Sequence, residues 1–216
     1  MPHNHLNRRL DEFGIALDAG ARERLEGYLS LLMRWNRAYN LTAAREPEAL
    51  IDRHLVDSLV VWGHLPSGAL ADVGSGAGFP GLPLALVEPQ RPVTLIDSNG
   101  KKTRFLRQCA TELGLANVRV HQARMEDLHE GGFAVVTARA VASLQRLITG
   151  AAGLLAPDGA LFALKGERVE EELSELDPQV AASLEVRELP RLPGQGRACL
   201  VIAGAAVHTD PGVAGA

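Results

Sequence analysis

Ten residues constrain this chain more than any others: Asp72-Val73-Gly74-Ser75-Gly76-Ala77-Gly78-Phe79-Pro80-Gly81. An apolar run ending Leu70-Ala71 leads into an acid, a glycine-rich turn follows, and then comes the apolar stretch 82–87. That order predicts a strand, a loop whose backbone can press against a ligand, and a helix N-terminus beyond it. A nucleotide-like ligand at the carboxyl end of a strand belongs to an α/β fold.

The rest of the chain agrees. From residue 69 onward strands and helices alternate. Strands are expected at 69–73, 93–97, 118–122, 134–138 and 160–164, and helices at 82–87, 101–113 and 143–155. These strands lack polar alternation, which predicts a parallel sheet buried on both faces. After an acidic helix (167–176) come strands at 184–189 and 199–203. The Pro190–Gly196 turn between them predicts an antiparallel last strand. Ahead of residue 69 the pattern is helical. Leu25, Tyr28, Leu29, Leu32, Trp35 and Tyr39 recur at three- and four-residue spacing, and a second helix begins at Pro47 with Ile51, Leu55, Leu59 and Trp62 on one face. The expected organisation is a helical N-terminal extension packed on the core (1–66), an α/β domain (67–205) and a flexible tail (206–216).

No apolar run approaches the roughly 20 residues of a membrane span. The polar opening Met1–Asp11 has no apolar h-region, so no signal peptide is expected. Two cysteines, Cys109 and Cys199, stand in apolar contexts, which points to core positions and a reduced, cytoplasmic setting. No Cys/His cluster has metal spacing, and His3 and His5 read as a solvated terminus. The net charge of −4 speaks against indiscriminate coating of nucleic acid. Between Lys101 and Arg124, however, six basic residues accompany one acid, Glu112. The acids of 167–177 read as a solvated helix face.

Gly76-Ala77-Gly78-Phe79-Pro80-Gly81 alone fits the dinucleotide fingerprint G-x-G-x-x-G. Three features point away from NAD. Asp72 sits inside the strand end, where a carboxylate accepts from N–H groups and repels a pyrophosphate. Gly74-x-Gly76-x-Gly78 after an acid is the pattern of S-adenosyl-L-methionine (AdoMet) methyltransferases. The chain also has no room for a second nucleotide-binding half and a substrate domain. Asp97, at the end of the second strand, suits two ribose hydroxyls of either cofactor. The turn Arg124-Met125-Glu126-Asp127 after the third strand is placed to line the adenine, with helix capping as the alternative for its acids.

After the fourth strand the chain reads Val135-Val136-Thr137-Ala138-Arg139-Ala140-Val141-Ala142-Ser143. It lacks the Asn/Asp-Pro-Pro-Tyr motif that positions an exocyclic amine and the Pro-Cys nucleophile of pyrimidine C5 methylation. These absences suit an acceptor that is already nucleophilic, such as guanine N7, which loses no proton; catalysis then reduces to alignment. Arg139 is the polar group at this strand end. It is expected to hydrogen-bond either the methionine carboxylate or the guanine O6 edge.

Several segments together resemble the RsmG/GidB family, the bacterial 16S ribosomal RNA guanine-N7 methyltransferases. They are Trp35-Asn36 with Tyr39-Asn40-Leu41-Thr42; Arg53-His54-Leu55-Val56-Asp57-Ser58; Asp72 to Gly81; Leu95-Ile96-Asp97-Ser98 with Lys101 and Arg104-Phe105-Leu106; Arg139-Ala140; and Ala163-Leu164-Lys165-Gly166. The glycine loop is common to many methyltransferases, whereas Tyr-Asn-Leu-Thr and Arg-His-x-x-Asp-Ser are far more specific. The resemblance implies a class I AdoMet-dependent methyltransferase fold: Rossmann-like, with a mostly parallel seven-stranded sheet, an antiparallel last strand and a helical N-terminal extension. It implies methylation of the guanine at position 527 of 16S rRNA, on the small ribosomal subunit or its assembly precursor, by a cytoplasmic monomer that needs no metal or membrane. It carries cofactor contacts to Gly74, Gly76, Phe79, Asp97, Ser98, Met125, Glu126 and Arg139, with Arg139 also the catalytic candidate.

Arg53, His54, Arg124, Lys165 and Arg197 are the candidates for RNA contact. Arg53, His54, Asp57 and Ser58, one turn apart, form either a buried network or a substrate face. The family commonly has a histidine after the arginine near the last strand, and Ala198 stands there in this chain. Trp35 and Tyr39 are expected in the core, with Asn36 and Asn40 cross-linking or capping the helices. Two other readings compete: an AdoMet methyltransferase for a small molecule or protein, and an inactive module that binds during ribosome assembly. The basic stretch favours RNA over a small substrate, and the intact loop with Asp97 favours a working cofactor site.

Overall fold

The computed structural model describes residues 2–208. Four helical segments come first: α1 (Pro2–Glu12), α2 (Ala19–Tyr39), α3 (Pro47–Leu50) and α4 (Val56–Trp62), with a π-helical turn, Ile51–Leu55, joining the last two. Strands β1 (Leu70–Val73), β2 (Val93–Ile96), β3 (Val118–His121), β4 (Phe133–Arg139) and β5 (Leu155–Lys165) alternate with α5 (Gly81–Val87), α6 (Gly100–Glu112), a 3-10 turn at Met125–Asp127 and α7 (Leu144–Ala151). Then follow α8 (Val169–Ser174), α9 (Pro178–Ala182), β6 (Glu185–Glu188), β7 (Cys199–Gly204) and α10 (Ala205–His208).

The sheet order is β3-β2-β1-β4-β5-β7-β6. β7 runs antiparallel to both neighbours and the other pairings are parallel. This is the class I methyltransferase arrangement. The chain reverses its build direction between β1 and β4, so the crevice beyond their carboxyl ends is the expected ligand position. Register fixes what meets there: Asp72 lies opposite Thr137 and Val73 opposite Ala138, so Arg139 emerges beside Gly74.

One of the two apolar clusters spans both the helical extension and the α/β part of the chain. Leu6 and Leu10 of α1, Leu25, Tyr28 and Leu32 of α2 and Leu55 of the π turn belong to one buried cluster with Leu82 of α5 and Phe105 of α6. Each fully buried leucine contributes roughly 1.5–3 kcal/mol, so the helical extension is held by the sheet's own core.

Four expectations are corrected. The opening residues form α1: Leu6 and Leu10, four apart, bury on one face, while Arg9 donates to Asp52 at 2.7 Å and His5 lies 2.7 Å from the same carboxylate. Tyr39 is 42% exposed because it is the last residue of α2, although its ring still lies 5.1 Å from that of Trp35. α7 ends at Ala151 and β5 starts at Leu155, not residue 160, because a register shift opposite Phe133 and Val135 lets the strand begin early. α10 (Ala205–His208) takes up the first residues of the tail expected at 206–216, and 209–216 lie outside the described residues. So does the side chain of His3.

Asn36 links α2 to the following loop as expected: its amide donates to Ala44 O at 2.8 Å and its Oδ1 accepts from Thr42 N at 2.9 Å. Asn40 caps α2 in the left-handed conformation, φ 52°. Cys109 and Cys199 are both buried, and burial pushes both thiols up.

Candidate active site

The glycine loop is organised from below by Asp72. This fully buried carboxylate accepts from Thr137 Oγ1 at 3.0 Å and from Gly81 N at 3.1 Å, and Ser75 Oγ donates to the Asp72 carbonyl at 2.8 Å. Asp72 therefore holds the loop and not the ligand. Burial pushes its carboxyl up to about 6, against the pull of those donors. Tyr28 supports the loop from α2, donating its hydroxyl to Ala77 O at 2.7 Å.

Contact demands glycine at positions 74 and 81. Gly74 adopts φ +65°, and a Cβ there would collide with Val141. A Cβ on Gly81 would fall 2.7 Å from Asp72 Oδ2, breaking the approach that lets its N–H reach the carboxylate.

Beyond the loop lies a cleft of about 470 Å³, walled by Val73, Gly74, Ile96, Asp97, Ser98, Arg124, Met125, Glu126 and Ala140. Asp97 is 7% exposed, and each oxygen already accepts one backbone N–H: Gly76 N at 2.8 Å and Asn99 N at 2.8 Å. A carboxylate has about four acceptor positions, so one on each oxygen remains for a pair of ribose hydroxyls. Val73, Ile96 and Met125 supply an apolar wall for an adenine. Met125 is itself seated against Gly150, where a Cβ would strike its thioether. Glu126 pairs with Arg146 at 2.8 Å, which holds its carboxyl below the usual range. The donor set and shape fit AdoMet.

A second cavity of about 370 Å³ opens on the other side of the Gly74–Ala140 wall, lined by Thr42, Arg53, His54, Gly76, Phe79 and Arg139. Gly74, Lys102 and Ala140 border both spaces. Arg139 lies over the Phe79 ring, 5.3 Å from its centroid, and donates to His54 Nδ1 at 2.9 Å and to Arg53 O at 3.3 Å. An arginine only donates, so Nδ1 is the acceptor, and the ring proton on Nε2 points to Thr42 Oγ1 at 3.2 Å. Burial, followed by repulsion from Arg139, pushes His54 down to about 4, so the ring is neutral. Asp57 lies 3.9 Å from Arg139 and accepts from Arg191 at 2.8 Å.

The predicted residues thus divide. Gly74, Asp97, Ser98, Met125, Glu126 and Arg124 line the cleft; Gly76, Phe79, Arg139, Arg53 and His54 line the second cavity. Lys165 and Arg197 join neither. The Lys165 ammonium is enclosed, donating to Glu172 at 2.7 Å and to Ala142 O at 2.8 Å; Glu172 also accepts from Leu144 N at 2.7 Å, so the pair clamps the 142–144 turn. Arg197 is ion-paired to Glu188 and Glu170 at the far edge of the sheet. The strand-end position that suggested Lys165 was correct; the acid that claims it, seven residues on, was read as part of a solvated run.

Two residues escaped the sequence reading. Lys102 bridges the cavities, with Nζ 3.9 Å from Asp97 Oδ2, and its basic stretch was its only signal. Ala140 sits at φ +52°, a strained conformation for a residue with a Cβ, and alanine gives no sequence sign of it. The π turn also went unread. It widens the helix so that Val56 N–H reaches Ile51 O, and it delivers Arg53 and His54 to the cavity; such turns concentrate at functional sites.

Residues 21–198 match the family model for rRNA small subunit methyltransferase G. A relative from Halorhodospira halophila, named ribosomal RNA small subunit methyltransferase G, is 72% identical over 208 residues, covering 96% of this chain and all of its own. One of the same name from Alkalilimnicola ehrlichii is 46% identical, covering 88% of this chain and 87% of its own. Among solved structures, a SAM-dependent methyltransferase from Aquifex aeolicus superposes with a TM-score of 0.56 at 19% identity, covering 74% of this chain and 94% of its own; that likeness bears on the fold alone. With the family's Arg-His-x-x-Asp-Ser and Tyr-Asn-Leu-Thr segments meeting at the second cavity, this chain belongs to the rRNA small subunit methyltransferase G family.

Proposed function

We propose that this protein transfers a methyl group from S-adenosyl-L-methionine to N7 of the guanine at position 527 of 16S rRNA, as a cytoplasmic monomer acting on the small ribosomal subunit or its assembly precursor. One observation carries the reading: a nucleoside-sized cleft and a second, cation-rimmed cavity meet at Gly74, Lys102 and Ala140. A donor in the first and a base in the second would face each other across that wall.

The cofactor, when bound, supplies an electrophilic methyl on a sulfonium. Asp97 would accept from its ribose, and Met125 would cover its adenine. Arg139, with five N–H donors of which the protein engages only some, would donate to guanine O6 and leave the N7 lone pair free. Among the described residues no carboxylate lines the second cavity, and His54 Nδ1 is already occupied by Arg139. A site so built suits an acceptor that surrenders no proton and needs only alignment. Arg53 and Arg124, both exposed at the rims, are the RNA-contact candidates we retain.

Mass mapping of 16S rRNA from cells lacking this gene tests the assignment. Loss of one N7-methylguanine supports it, and persistence of that methyl group refutes it.

A further inference from the structure

The outer face of α6 carries a basic groove that neither cavity uses. Gly100, Arg104, Arg107, Gln108, Thr111 and Gln122 enclose about 420 Å³ between α6 and the end of β3. Arg104 and Arg107 are exposed, as is Lys101 beside them. Among the described residues, no ion pair engages Lys101, Arg104, Arg107 or Arg124. The nearest acid on the helix, Glu112, accepts from Arg34 at 2.9 Å and from Gln108 at 2.7 Å, so its charge is already answered. Arg107 makes only a long contact of 3.5 Å to Val120 O. Elsewhere Arg9, Arg146, Arg168, Arg187 and Arg197 are each matched by a carboxylate. In a chain of net charge −4, unpaired guanidiniums gathered on one face mark an anion-binding surface.

The groove is also continuous with the site. Asn99 and Ala123 wall the cleft, while Gly100 and Gln122, their immediate neighbours in sequence, wall the groove. Lys101, Arg104, Arg107 and Thr111 recur three or four residues apart and so share one stripe, about 15 Å long at 1.5 Å per residue. Its upper end is the mouth of the site.

We infer that this stripe binds the sugar-phosphate backbone of the RNA strand flanking the target base, with Arg104 and Arg107 each engaging a phosphate. The proposal rests on the rRNA-methylation reading above and names how that substrate is held. A backbone contact fixes register without reading sequence, so the groove acts on affinity and leaves the choice of guanine to the second cavity.

The test is the double variant Arg104→Glu/Arg107→Glu, compared with Arg104→Lys/Arg107→Lys, on unmethylated small ribosomal subunits. The charge-reversed protein should show a KM for subunits raised about tenfold or more. The slope of log affinity against log salt should flatten by about 1–2, since each lost phosphate contact removes roughly 0.7–0.9. The lysine variant should keep the slope. AdoMet affinity and melting temperature should be unaltered in both. An unchanged KM and slope in a folded, charge-reversed protein would overturn the groove while leaving the methylation reading intact. Absence of methylation by the unaltered protein would instead strike the function itself.

Discussion

Thr137 Oγ1 donates to Asp72 Oδ1 at 3.0 Å across the β1–β4 pair, beneath the glycine loop. The two residues are register partners, so the parallel pairing itself sets this bond. The acid is fully buried, and burial outweighs its hydrogen bonds, raising its carboxyl from 3.8 to about 6. A raised carboxyl means that the folded state holds a proton which the unfolded chain has released. Stability from this group is therefore present at low pH and is lost as pH rises from about 4 to about 6. Asp72→Asn removes that penalty while keeping an acceptor for Gly81 N. It should raise the unfolding free energy above pH 6 by up to about 3 kcal/mol, with no gain below pH 4. Thr137→Val should do the reverse, costing about 1.5–3 kcal/mol at pH 7 by stripping a donor from a buried charge. Urea unfolding at several pH values measures both.

His54 titrates with the opposite sign. Its folded value of about 4 lies below the ordinary 6.5, so the unfolded chain binds the extra proton and stability falls as pH drops through that window. His54→Asn retains an acceptor near Arg139 and should abolish this component, which amounts to up to about 3 kcal/mol. Because Asp72 opposes His54 over much of the same range, the unaltered protein should show a flatter profile between pH 4 and 6 than either single variant.

How much of this was legible beforehand differs from residue to residue. The glycine loop, the alternation of strands and helices and Asp97 announce themselves because their chemistry is local: an acid, a turn and an apolar run in fixed sequence. The N-terminal motifs identified the family. Tyr39 misled because helical periodicity does not say where the partner surface ends. Lys165 misled because its partner Glu172 belongs to an acidic run that is otherwise exposed. Ala140 and the π turn left no trace, since backbone strain imposed by tertiary packing has no compositional signature.

Gly74 offers a direct probe of that strain. Gly74→Ala must place a Cβ at φ +65° and against Val141. It should cost about 1–3 kcal/mol and weaken AdoMet binding. Adding Val141→Ala should recover the part due to the collision and leave the backbone part, separating the two in a double-mutant cycle read by thermal unfolding.

The Lys165–Glu172 clamp predicts a structural phenotype without an RNA phenotype. Lys165→Ala leaves Glu172 with Leu144 N–H as its remaining partner in an enclosed position. Stability should fall by about 3 kcal/mol, in line with breaking a buried pair. AdoMet binding should weaken as the 140–144 turn loosens. The salt dependence of RNA binding should not change; a flatter slope would return Lys165 to the RNA surface.

The central claim is that the cavity beside Arg139 receives a guanine and presents its N7 to the donor cleft. The most direct measurement supplies methyl-labelled AdoMet to purified protein and unmethylated small ribosomal subunits, then maps the labelled atom. The account predicts one label, at N7 of the guanine at position 527. It also predicts a loss of rate of at least about 100-fold in Arg139→Ala with the fold retained. Label on another atom or another nucleotide, or an undiminished rate without Arg139, would contradict it.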